Sequence, residues 1–215
     1  NSFAKGDLLR NEYLLTLASK VNKDLPLLWT GREVVSPNIK DSDISVLKKV
    51  FKNPIIIWDN YYANDYCSNK FFIGSYFGRS VSKKTISAIG LNPTGMAITD
   101  CIILDRFVLK KSTSELLQDY GIPSSFKKIL PYFNGPFKHS TNKLNIQKID
   151  NLQKIEKELC IEWKSELQLE WSQHLWRFFG DLHLLKKNLK KENKKKLEEF
   201  AKRRYSEPLS QQLLD

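Results

Sequence analysis

Polar and aromatic side chains that could bind a ligand follow the most apolar strand-like segment of this chain. Residues 55–57 are three isoleucines, and Trp58, Asn60 and Asp65 come soon after them. Three consecutive β-branched residues resist helix formation and favour a strand buried on both faces, as in a parallel sheet. The sites of α/β barrels and open α/β sheets lie just past the carboxyl ends of such strands. An indole, an amide and a carboxylate in this place predict a site that uses hydrogen bonds and an aromatic face.

Other kinds of chemistry have no sequence signal. The three histidines lack the spacing of a metal site or a catalytic triad, and no glycine-rich phosphate loop occurs. Cys67, Cys101 and Cys160 are odd in number, widely separated and without a metal-ligand spacing. The sequence therefore predicts no metal, no cofactor and free thiols, which favours a reducing compartment.

Strand-like segments recur at a regular interval in the first half of the chain. They end at Trp29, Trp58 and Leu91, about thirty residues apart, close to the ~31 residues that each β/α unit uses in a (β/α)8 barrel. This interval predicts barrel architecture. Three parallel strands cannot close a barrel, so the remaining strands must come from an upstream segment or a separate chain, or be absent.

The pattern becomes purely helical after Met96. Residues 97–110 have apolar side chains on nearly every turn, which predicts a helix. Ser112 with Glu115 then predicts a capping box at the start of a further helix. The chain is therefore expected to be α/β at first and all-α afterwards.

The last third of the chain has the apolar spacing of a long amphipathic helix or a helix pair. The residues of this stripe are Leu152, Ile155, Leu159, Trp163, Leu167, Trp171, Leu175, Phe179 and Leu182. We assign Trp176 to the same core, and Gly180 is a candidate break in the helix. The change of rhythm falls in the Pro-, Gly- and Asn-rich region 131–145, so we predict an α/β domain in residues 1–135 and a helical domain in residues 136–215.

Positive charge is concentrated near the end of the chain. The net charge is +11, and residues 186–204 contain ten Lys and Arg against three Glu. We interpret this run as a solvated helix face. The less favoured interpretation is a nucleic-acid surface, whose binding would be driven by the release of counterions. No run of about eighteen apolar residues occurs, which predicts no membrane span. The first residue is Asn1 and the single methionine is Met96, so we expect a segment of a longer polypeptide.

Four ordered motifs resemble glycoside hydrolase family 84, whose members are β-N-acetylglucosaminidases that include enzymes removing O-linked GlcNAc from proteins. The motifs are Trp29-Thr30-Gly31-Arg32-Glu33-Val34-Val35-Ser36, then Trp58-Asp59-Asn60 with Asn64-Asp65-Tyr66, then Phe72-Ile73-Gly74 with Tyr76 and Gly78-Arg79-Ser80, then Leu91-Asn92-Pro93. Their order and spacing make the resemblance specific. It implies the last strands and helices of a (β/α)8 TIM barrel, about three β/α units, followed by a C-terminal helical domain.

The resemblance also implies that five residues hold a terminal N-acetylglucosamine. Asp65 would accept hydrogen bonds from the 4- and 6-hydroxyls, since a carboxylate has two acceptor oxygens. Asn60 and Asn92 would hydrogen-bond the sugar or support the catalytic groups. Trp58 would line the acetamido pocket, and Val34 would be an apolar contact at its mouth.

The family's reaction is retaining and substrate-assisted, because the 2-acetamido oxygen attacks the anomeric carbon to form an oxazoline. Two adjacent aspartates drive it: one orients the acetamido group, and the other is first acid and then base. No Asp-Asp pair occurs in the 215 residues, so no catalytic residue is expected in this chain, which would be inactive by itself. Asp59 is predicted to be a structural hydrogen-bond partner. Arg32 departs from the family, which usually has proline there.

Two functions are compatible with these residues. The resemblance implies part of an O-GlcNAcase-like hydrolase that removes terminal β-linked GlcNAc from glycoproteins and is completed by the N-terminal half of the barrel, from the same gene or a separate chain. The alternative is a degenerate, non-catalytic relative that binds proteins through its helical domain. Independently of this choice, the helical domain is a candidate surface for a homodimer. The expected location is cytoplasmic or nucleocytoplasmic, with neither membrane nor nucleic acid as a partner.

Overall fold

The protein is a mixed α/β structure with strands in the first half of the chain and helices throughout. A computed structural model describes residues 7–67, 70–137 and 151–188. The expected order, α/β structure followed by helices, is confirmed over these residues. No helix in this described part is both long enough and apolar enough to cross a bilayer.

Two compact units make up the described structure. The first contains the residues up to Tyr61 together with Tyr76–Asn92, and the second contains Tyr62–Ser75 and the residues from Pro93 onward. The first unit holds the strands, and the second is helical. The domain boundary predicted between residues 135 and 136 stays a prediction.

The first unit is built around a parallel sheet. Its strands are β1 (Leu27–Trp29), β2 (Ile39–Lys40), β3 (Ile55–Asp59), β4 (Arg79–Ser80) and β5 (Ala88–Leu91), and its α-helices are α1 (Glu12–Lys20) and α2 (Asp41–Val50). Three strands pair in parallel in the order β1-β3-β5, and β2 pairs in parallel with β4. The strands predicted to end near Trp29, Trp58 and Leu91 are therefore confirmed.

One face of β3 forms the core of this unit. Side chains alternate between the two faces of a strand, and Ile55, Ile57 and Asp59 are buried at 1% exposure or less. The two isoleucines belong to a cluster of buried apolar residues from α1, α2 and the adjoining segments, namely Leu14, Ile39, Ile44, Leu47 and Phe51. Burial of these side chains stabilises the helix layer on this side of the sheet.

The other face of the sheet is apolar and uncovered. The register aligns Leu28, Ile56 and Ala88 across the three strands and places Trp58 beside Gly90. Leu28 is 58% exposed and Trp58 is 40% exposed. The expected burial of β3 on both faces is therefore wrong for Trp58, and Ile56 is only half-buried. Parallel sheets are normally covered on both sides, so this surface is suited to burial against further polypeptide.

Two carboxylates at the start of α2 serve different partners. Asp43 accepts a hydrogen bond from the backbone N–H of Lys40 at 3.1 Å, which satisfies an amide at the helix start. Asp41 accepts from the backbone N–H of Ser82 at 2.9 Å and from the Thr85 hydroxyl. The Ser82 hydrogen bond, followed by that of Thr85, lowers the pKa of the Asp41 carboxyl. Asp41 thus ties the start of α2 to the segment that leads into β5.

The second unit consists of helices joined by short turns. Its elements are α3 (Ala97–Val108), α4 (Thr113–Asp119), 3-10 turns at Ser124–Lys128 and Leu130–Phe133, α5 (Leu152–Lys157), a π-helical turn at Glu158–Glu162 and α6 (Glu166–Asn188). Ser112 and Glu115 form the predicted capping box before α4. The Glu115 carboxylate accepts from the Ser112 N–H at 2.7 Å, and the Ser112 hydroxyl accepts from the Glu115 N–H.

Aromatic rings form the core of the second unit. Trp171 is fully buried and stacks on Phe71 and Phe126, with ring centroids 4.6 and 5.1 Å apart. Its indole N–H donates to the Thr99 hydroxyl at 2.7 Å, so its polar atom has a partner. The Glu170 carboxylate accepts from the Thr99 backbone N–H at 2.8 Å. Negative charge at a helix N-terminus is favourable, so these contacts fix α6 against the first turn of α3.

The predicted apolar stripe is confirmed, but its break lies elsewhere. All nine stripe residues are buried. Gly180 lies inside α6, so its prediction as a break is wrong. A glycine costs only about 1 kcal/mol in a helix interior, and the buried residues on both sides of it hold the helix. The interruption instead follows the π-helical turn, where the Trp163 N–H donates to the Glu158 carbonyl. Trp176 is 46% exposed, so its assignment to the core is wrong.

Asp41→Asn is expected to reduce the acid sensitivity of folding. The pKa of Asp41 lies below its ordinary value of 3.8 in the folded protein, so the unfolded chain binds more protons at this group. The stabilising contribution is present above that value and is lost as the pH falls through the folded pKa. Urea unfolding between about pH 5 and about pH 2 should show a smaller loss of unfolding free energy in the variant. Asp24→Asn changes an exposed carboxylate and is the matched control; identical pH slopes for Asp41→Asn and the wild type would contradict the assignment.

Candidate functional site

The carboxyl ends of β3 and β5 lie side by side and bring two predicted ligand-binding residues together. Asp59 aligns with Leu91 in the register of the two strands, so Asn60 and Asn92 leave the sheet at the same edge. The backbone N–H of Asn92 donates to the carbonyl oxygen of Asp59 at 2.9 Å. Parallel pairing therefore places two amide side chains next to each other, although they are far apart in sequence.

Val34, Asn60 and Asn92 form a directional chain of hydrogen bonds, which we call the amide relay. Asn60 Nδ2 donates to the carbonyl oxygen of Val34 at 2.7 Å, and Asn92 Nδ2 donates to Asn60 Oδ1 at 3.0 Å. A carbonyl oxygen can only accept, so Val34 fixes the orientation of the Asn60 amide, and Asn60 fixes that of Asn92. The relay leaves Oδ1 of Asn92 for other donors, so this edge of the site offers an acceptor.

The loop that carries Val34 is held by its own hydrogen bonds. The Glu33 N–H donates to Ser36 Oγ at 3.0 Å, and the Ser36 hydroxyl lies 3.1 Å from the Glu33 carbonyl, to which it donates. Gly31 has a φ of +98°, and a Cβ there would lie 2.1 Å from Ser36 Oγ. Only glycine fits such a position. The Val34 carbonyl is therefore presented to Asn60 by an ordered loop, while the Val34 side chain is 57% exposed.

Arg32 connects this loop to α2. Its Nε donates to Asp43 Oδ1 at 2.8 Å. The Arg32 side chain is 65% exposed and that of Asp43 is 12% exposed. An ion pair with one exposed partner contributes only about 0–1 kcal/mol. The arginine thus orients the loop more than it stabilises the fold.

Asp59 is the centre of a buried polar cluster at the end of β3. Its carboxylate accepts from Nε and Nη2 of Arg79, with Nε 2.6 Å from Oδ2, and from the Tyr76 hydroxyl. It also accepts from the Tyr61 backbone N–H at 3.0 Å. The side chains of Asp59 and Arg79 are 1% and 3% exposed. The prediction of Asp59 as a structural hydrogen-bond partner is therefore confirmed.

The electrostatics of this cluster keep its protons in place. Burial, together with the charge of Asp59, raises the pKa of the Tyr76 hydroxyl far above its ordinary range. Burial alone would lower the pKa of the Arg79 guanidinium, but the hydrogen bonds and charge of Asp59 raise it. Tyr76 therefore stays protonated and Arg79 stays charged at neutral pH. In the described residues, no group of three or more His, Cys, Asp or Glu comes together as a set of metal ligands.

Trp58 lies on the uncovered face of the sheet, next to a position without a side chain. A Cβ on Gly90 would lie 3.7 Å from Cε3 of the indole, which is ordinary van der Waals distance. The glycine therefore leaves room beside the ring. A partly exposed indole in such a place can pack an apolar group against its face.

Asp65 belongs to the second unit, where it begins the 3-10 turn Asp65–Cys67. Its side chain is exposed, and Oδ1 accepts from the Tyr66 backbone N–H at 3.0 Å. The carboxylate has further lone pairs that can accept hydrogen bonds from a ligand. Of the five predicted residues, hydrogen bonds join Val34, Asn60 and Asn92, while Trp58 shares their unit.

The sequence alone did not reveal Tyr76 and Arg79 as the partners of Asp59. They lie 17 and 20 residues away along the chain, beyond the reach of helix or strand periodicity. A usable signal existed, because a buried aspartate at a strand end requires a cation or several donors. The segment Tyr76 to Arg79 offers both and is part of a recognised motif.

Asn60→Asp is expected to disrupt the amide relay in a pH-dependent way. At about pH 7 the variant would place a negatively charged oxygen against the Val34 carbonyl, at a cost of about 1–3 kcal/mol of unfolding free energy. Folding would raise the pKa of the new carboxyl, so the penalty should shrink as the pH falls and the protonated acid donates instead. Urea unfolding at two pH values measures both effects.

Asn22→Asp is the matched control for this change. Asn22 uses its side-chain oxygen to accept from the Asp24 N–H at 3.0 Å, and an aspartate accepts equally well there. The control should therefore keep wild-type stability at neutral pH. Equal stability of both variants would mean that Asn60 does not donate to Val34 and that the direction of the relay is wrong.

Comparison with known proteins shows that the segment carrying this site is similar to β-N-acetylglucosaminidases. A family model described as beta-N-acetylglucosaminidase matches residues 2–107. Protein O-GlcNAcase of Mus musculus and that of Rattus norvegicus are each 38% identical over 79 residues, which is 37% of this chain. The chain covers only 9% of the length of each of these relatives.

Solved structures share the fold over most of the chain. The structure of CpGH84B has a TM-score of 0.57 at 17% identity and covers 84% of this chain, which in turn covers 40% of it. A variant of the Thermobaculum terrenum O-GlcNAc hydrolase has a TM-score of 0.61 at 17% identity, with 95% of this chain and 57% of that structure covered. The resemblance of residues 2–107 to the β-N-acetylglucosaminidases of glycoside hydrolase family 84 is therefore confirmed by the family model and by these relatives.

Proposed function

We propose that this chain forms the sugar-holding side of a β-N-acetylglucosaminidase site whose aspartate pair lies in polypeptide outside these 215 residues. The observation that carries the proposal is the amide relay at the carboxyl ends of β3 and β5. It lies inside the segment that matches the family, and it is oriented to present an acceptor. Carboxyl ends of parallel strands are where barrels build their sites.

Each residue of the site would have a simple task. Oδ1 of Asn92 is suited to a sugar hydroxyl or an acetamido N–H, because both are donors. The Trp58 indole is suited to the acetamido methyl group, and Val34 to an apolar contact beside it. Asp65 would accept from two neighbouring hydroxyls, an assignment that rests on its sequence motif alone. No residue of this chain is assigned to acid–base catalysis.

The chain would bind and orient the sugar, and the outside aspartates would carry out the substrate-assisted, retaining reaction. In this proposal β1, β3 and β5 are the last strands of a (β/α)8 barrel. The uncovered apolar face of the sheet supports it, since that face would become the filled barrel interior. The outer edges of β1 and β5 would then pair with the remaining strands. By analogy with the named relatives, the substrate would be terminal β-linked GlcNAc on glycoproteins, in the cytoplasm or nucleocytoplasm.

The alternative proposal is a non-catalytic module that binds a second copy of this chain through α6. Leu169 and Trp176 are 73% and 46% exposed and lie two turns apart on one helix face. A Cβ on Gly180, one turn further along, would meet nothing within 4 Å. In an antiparallel two-fold pairing, Trp176 of one copy would fill the space over Gly180 of the second copy. Two-fold contacts are reciprocal, so Trp176 of the second copy would lie over Gly180 of the first.

Reconstitution with the aspartate-bearing barrel strands of a family 84 relative tests the leading proposal on an aryl β-N-acetylglucosaminide. Asp65→Ala is expected to lower kcat/KM by about 10- to 100-fold, because it removes hydrogen bonds to a charged acceptor worth about 1.5–3 kcal/mol. Asp24→Ala, at an exposed carboxylate of the first unit, should leave kcat/KM unchanged. Unaltered hydrolysis in Asp65→Ala would remove Asp65 from the site, and no hydrolysis in the wild-type reconstitution would favour the alternative.

Trp176→Ser is expected to convert a dimer into a monomer if α6 pairs two copies. Removal of a large apolar ring from the centre of a small interface removes much of its binding energy. Sedimentation at several protein concentrations measures the change. Leu104→Ser, which alters another exposed apolar residue at 52% exposure on α3, should leave the association state unchanged. A wild-type protein that is monomeric at every concentration would dismiss the pairing.

A further inference from the structure

We propose that Arg79 is a positioning residue that sets the geometry of the amide relay. Its guanidinium bonds to the Asp59 carboxylate and to the backbone carbonyls of Pro37 and Phe77. Asp59 and Pro37 lie in the two segments that carry Asn60 and Val34, and Phe77 lies in the same segment as Arg79 itself. As a role in ligand binding, the inference rests on the proposed function; as a statement about geometry, it stands without it.

On one side, Arg79 acts through Asp59, which locates both asparagines. The Asp59 carbonyl accepts from the Asn92 N–H at 2.9 Å. The Asp59 carboxylate accepts from the Tyr61 N–H at 3.0 Å, which fixes the turn that contains Asn60. Two hydrogen bonds from Arg79 fix that carboxylate in turn. A rotation of the Asp59 side chain would therefore move the turn and the amide of Asn60 together.

On the other side, Arg79 holds the loop that presents Val34. Its Nη1 lies 3.3 Å from the Pro37 carbonyl and 3.0 Å from the Phe77 carbonyl. Arg79 is also paired with Ile39 in the β2–β4 ladder, so its backbone is fixed to the same segment. Gly78 has a φ of +75°, and a Cβ there would lie 2.2 Å from the Pro37 carbonyl oxygen. The chain before Arg79 thus approaches this loop as closely as only glycine allows.

The guanidinium is suited to this task because its donors form a rigid planar fork. Nε and Nη2 engage both oxygens of Asp59, while Nη1 points to the backbone of the other loop. One rigid group therefore sets the distance between the Asp59 end of β3 and the Pro37 end of the Val34 loop. The 2.7 Å hydrogen bond from Asn60 to Val34 spans the same two segments. A lysine, as a flexible point charge, would keep the ion pair without fixing that distance.

The experiment follows the side-chain amide resonances of Asn60 and Asn92 by NMR in the full chain labelled with 15N-asparagine. Both pairs of resonances should be dispersed and protected from exchange in the wild type. Arg79→Lys should move both pairs toward the values of free asparagine and raise their exchange rates by at least about tenfold, the equivalent of about 1.4 kcal/mol in opening free energy. Unchanged shifts and exchange in Arg79→Lys would overturn the proposal.

Two further variants separate positioning from general loss of structure. Arg106→Lys alters another buried arginine, in the second unit, where Nη2 donates to Thr113 at 3.1 Å, and should leave both amide pairs unchanged. Tyr76→Phe removes one donor to Asp59 and keeps the ring, so it should shift both amide pairs in the same direction by a smaller amount. This variant provides the test if Arg79→Lys does not fold. Restoration of the Arg79→Ala signals by millimolar guanidinium would support the proposal, while equal effects of Arg79→Lys and Arg106→Lys would overturn it.

Addition of N-acetylglucosamine to the wild type distinguishes this inference from the proposed function. A shift of the Asn92 resonances on addition supports sugar binding at the relay. The Asn92 resonances could instead be displaced in Arg79→Lys and show no response to the sugar in the wild type. That result would remove the sugar assignment and leave the positioning role in place.

Discussion

The buried ion pair of Asp59 and Arg79 is the interaction on which the first unit depends. Both side chains are almost fully buried, and the carboxylate has four hydrogen bonds, from the guanidinium, a tyrosine hydroxyl and a backbone amide. Removing one member of such a pair leaves an uncompensated charge at a cost of about 3–5 kcal/mol. Burial of the two charges has its own desolvation cost. In return, the intact pair joins the end of β3 to the Val34 loop. A well-packed apolar pair could stabilise the unit equally well but could not fix a direction for the neighbouring amides.

A second constraint is the difference between the two faces of the β1-β3-β5 sheet. One face is covered by α1 and α2 and forms the core. The other carries Leu28 and Trp58, both substantially exposed, on a surface that parallel sheets normally bury. The site is thus placed where an uncovered apolar surface meets a fixed set of polar groups. Such a combination is typical of ligand sites, which are mostly apolar with a few convergent polar groups.

Much of the fold was predictable because its signals are local. Consecutive isoleucines after Pro54 predicted β3, and Ser112 with Glu115 predicted the start of α4. The apolar stripe from Leu152 to Leu182 predicted a helical core, and every member of it is buried. The failures concern packing: the break at Gly180, the burial of Trp176 and the burial of both faces of β3. Periodicity gives the apolar face of a helix, but packing decides which residue at its margin is covered.

The sequence by itself determined the resemblance to family 84, the residue types of the site and the strand ends near which they lie. Motif order and β-branched runs depend only on near neighbours. Only the tertiary structure decided that Asn60 donates to Val34 and accepts from Asn92. It alone also decided that Arg79 is the partner of Asp59. Hydrogen-bond direction depends on which acceptor a folded chain brings within about 3 Å. These partners are between 20 and 32 residues apart in sequence, where no local pattern can specify them.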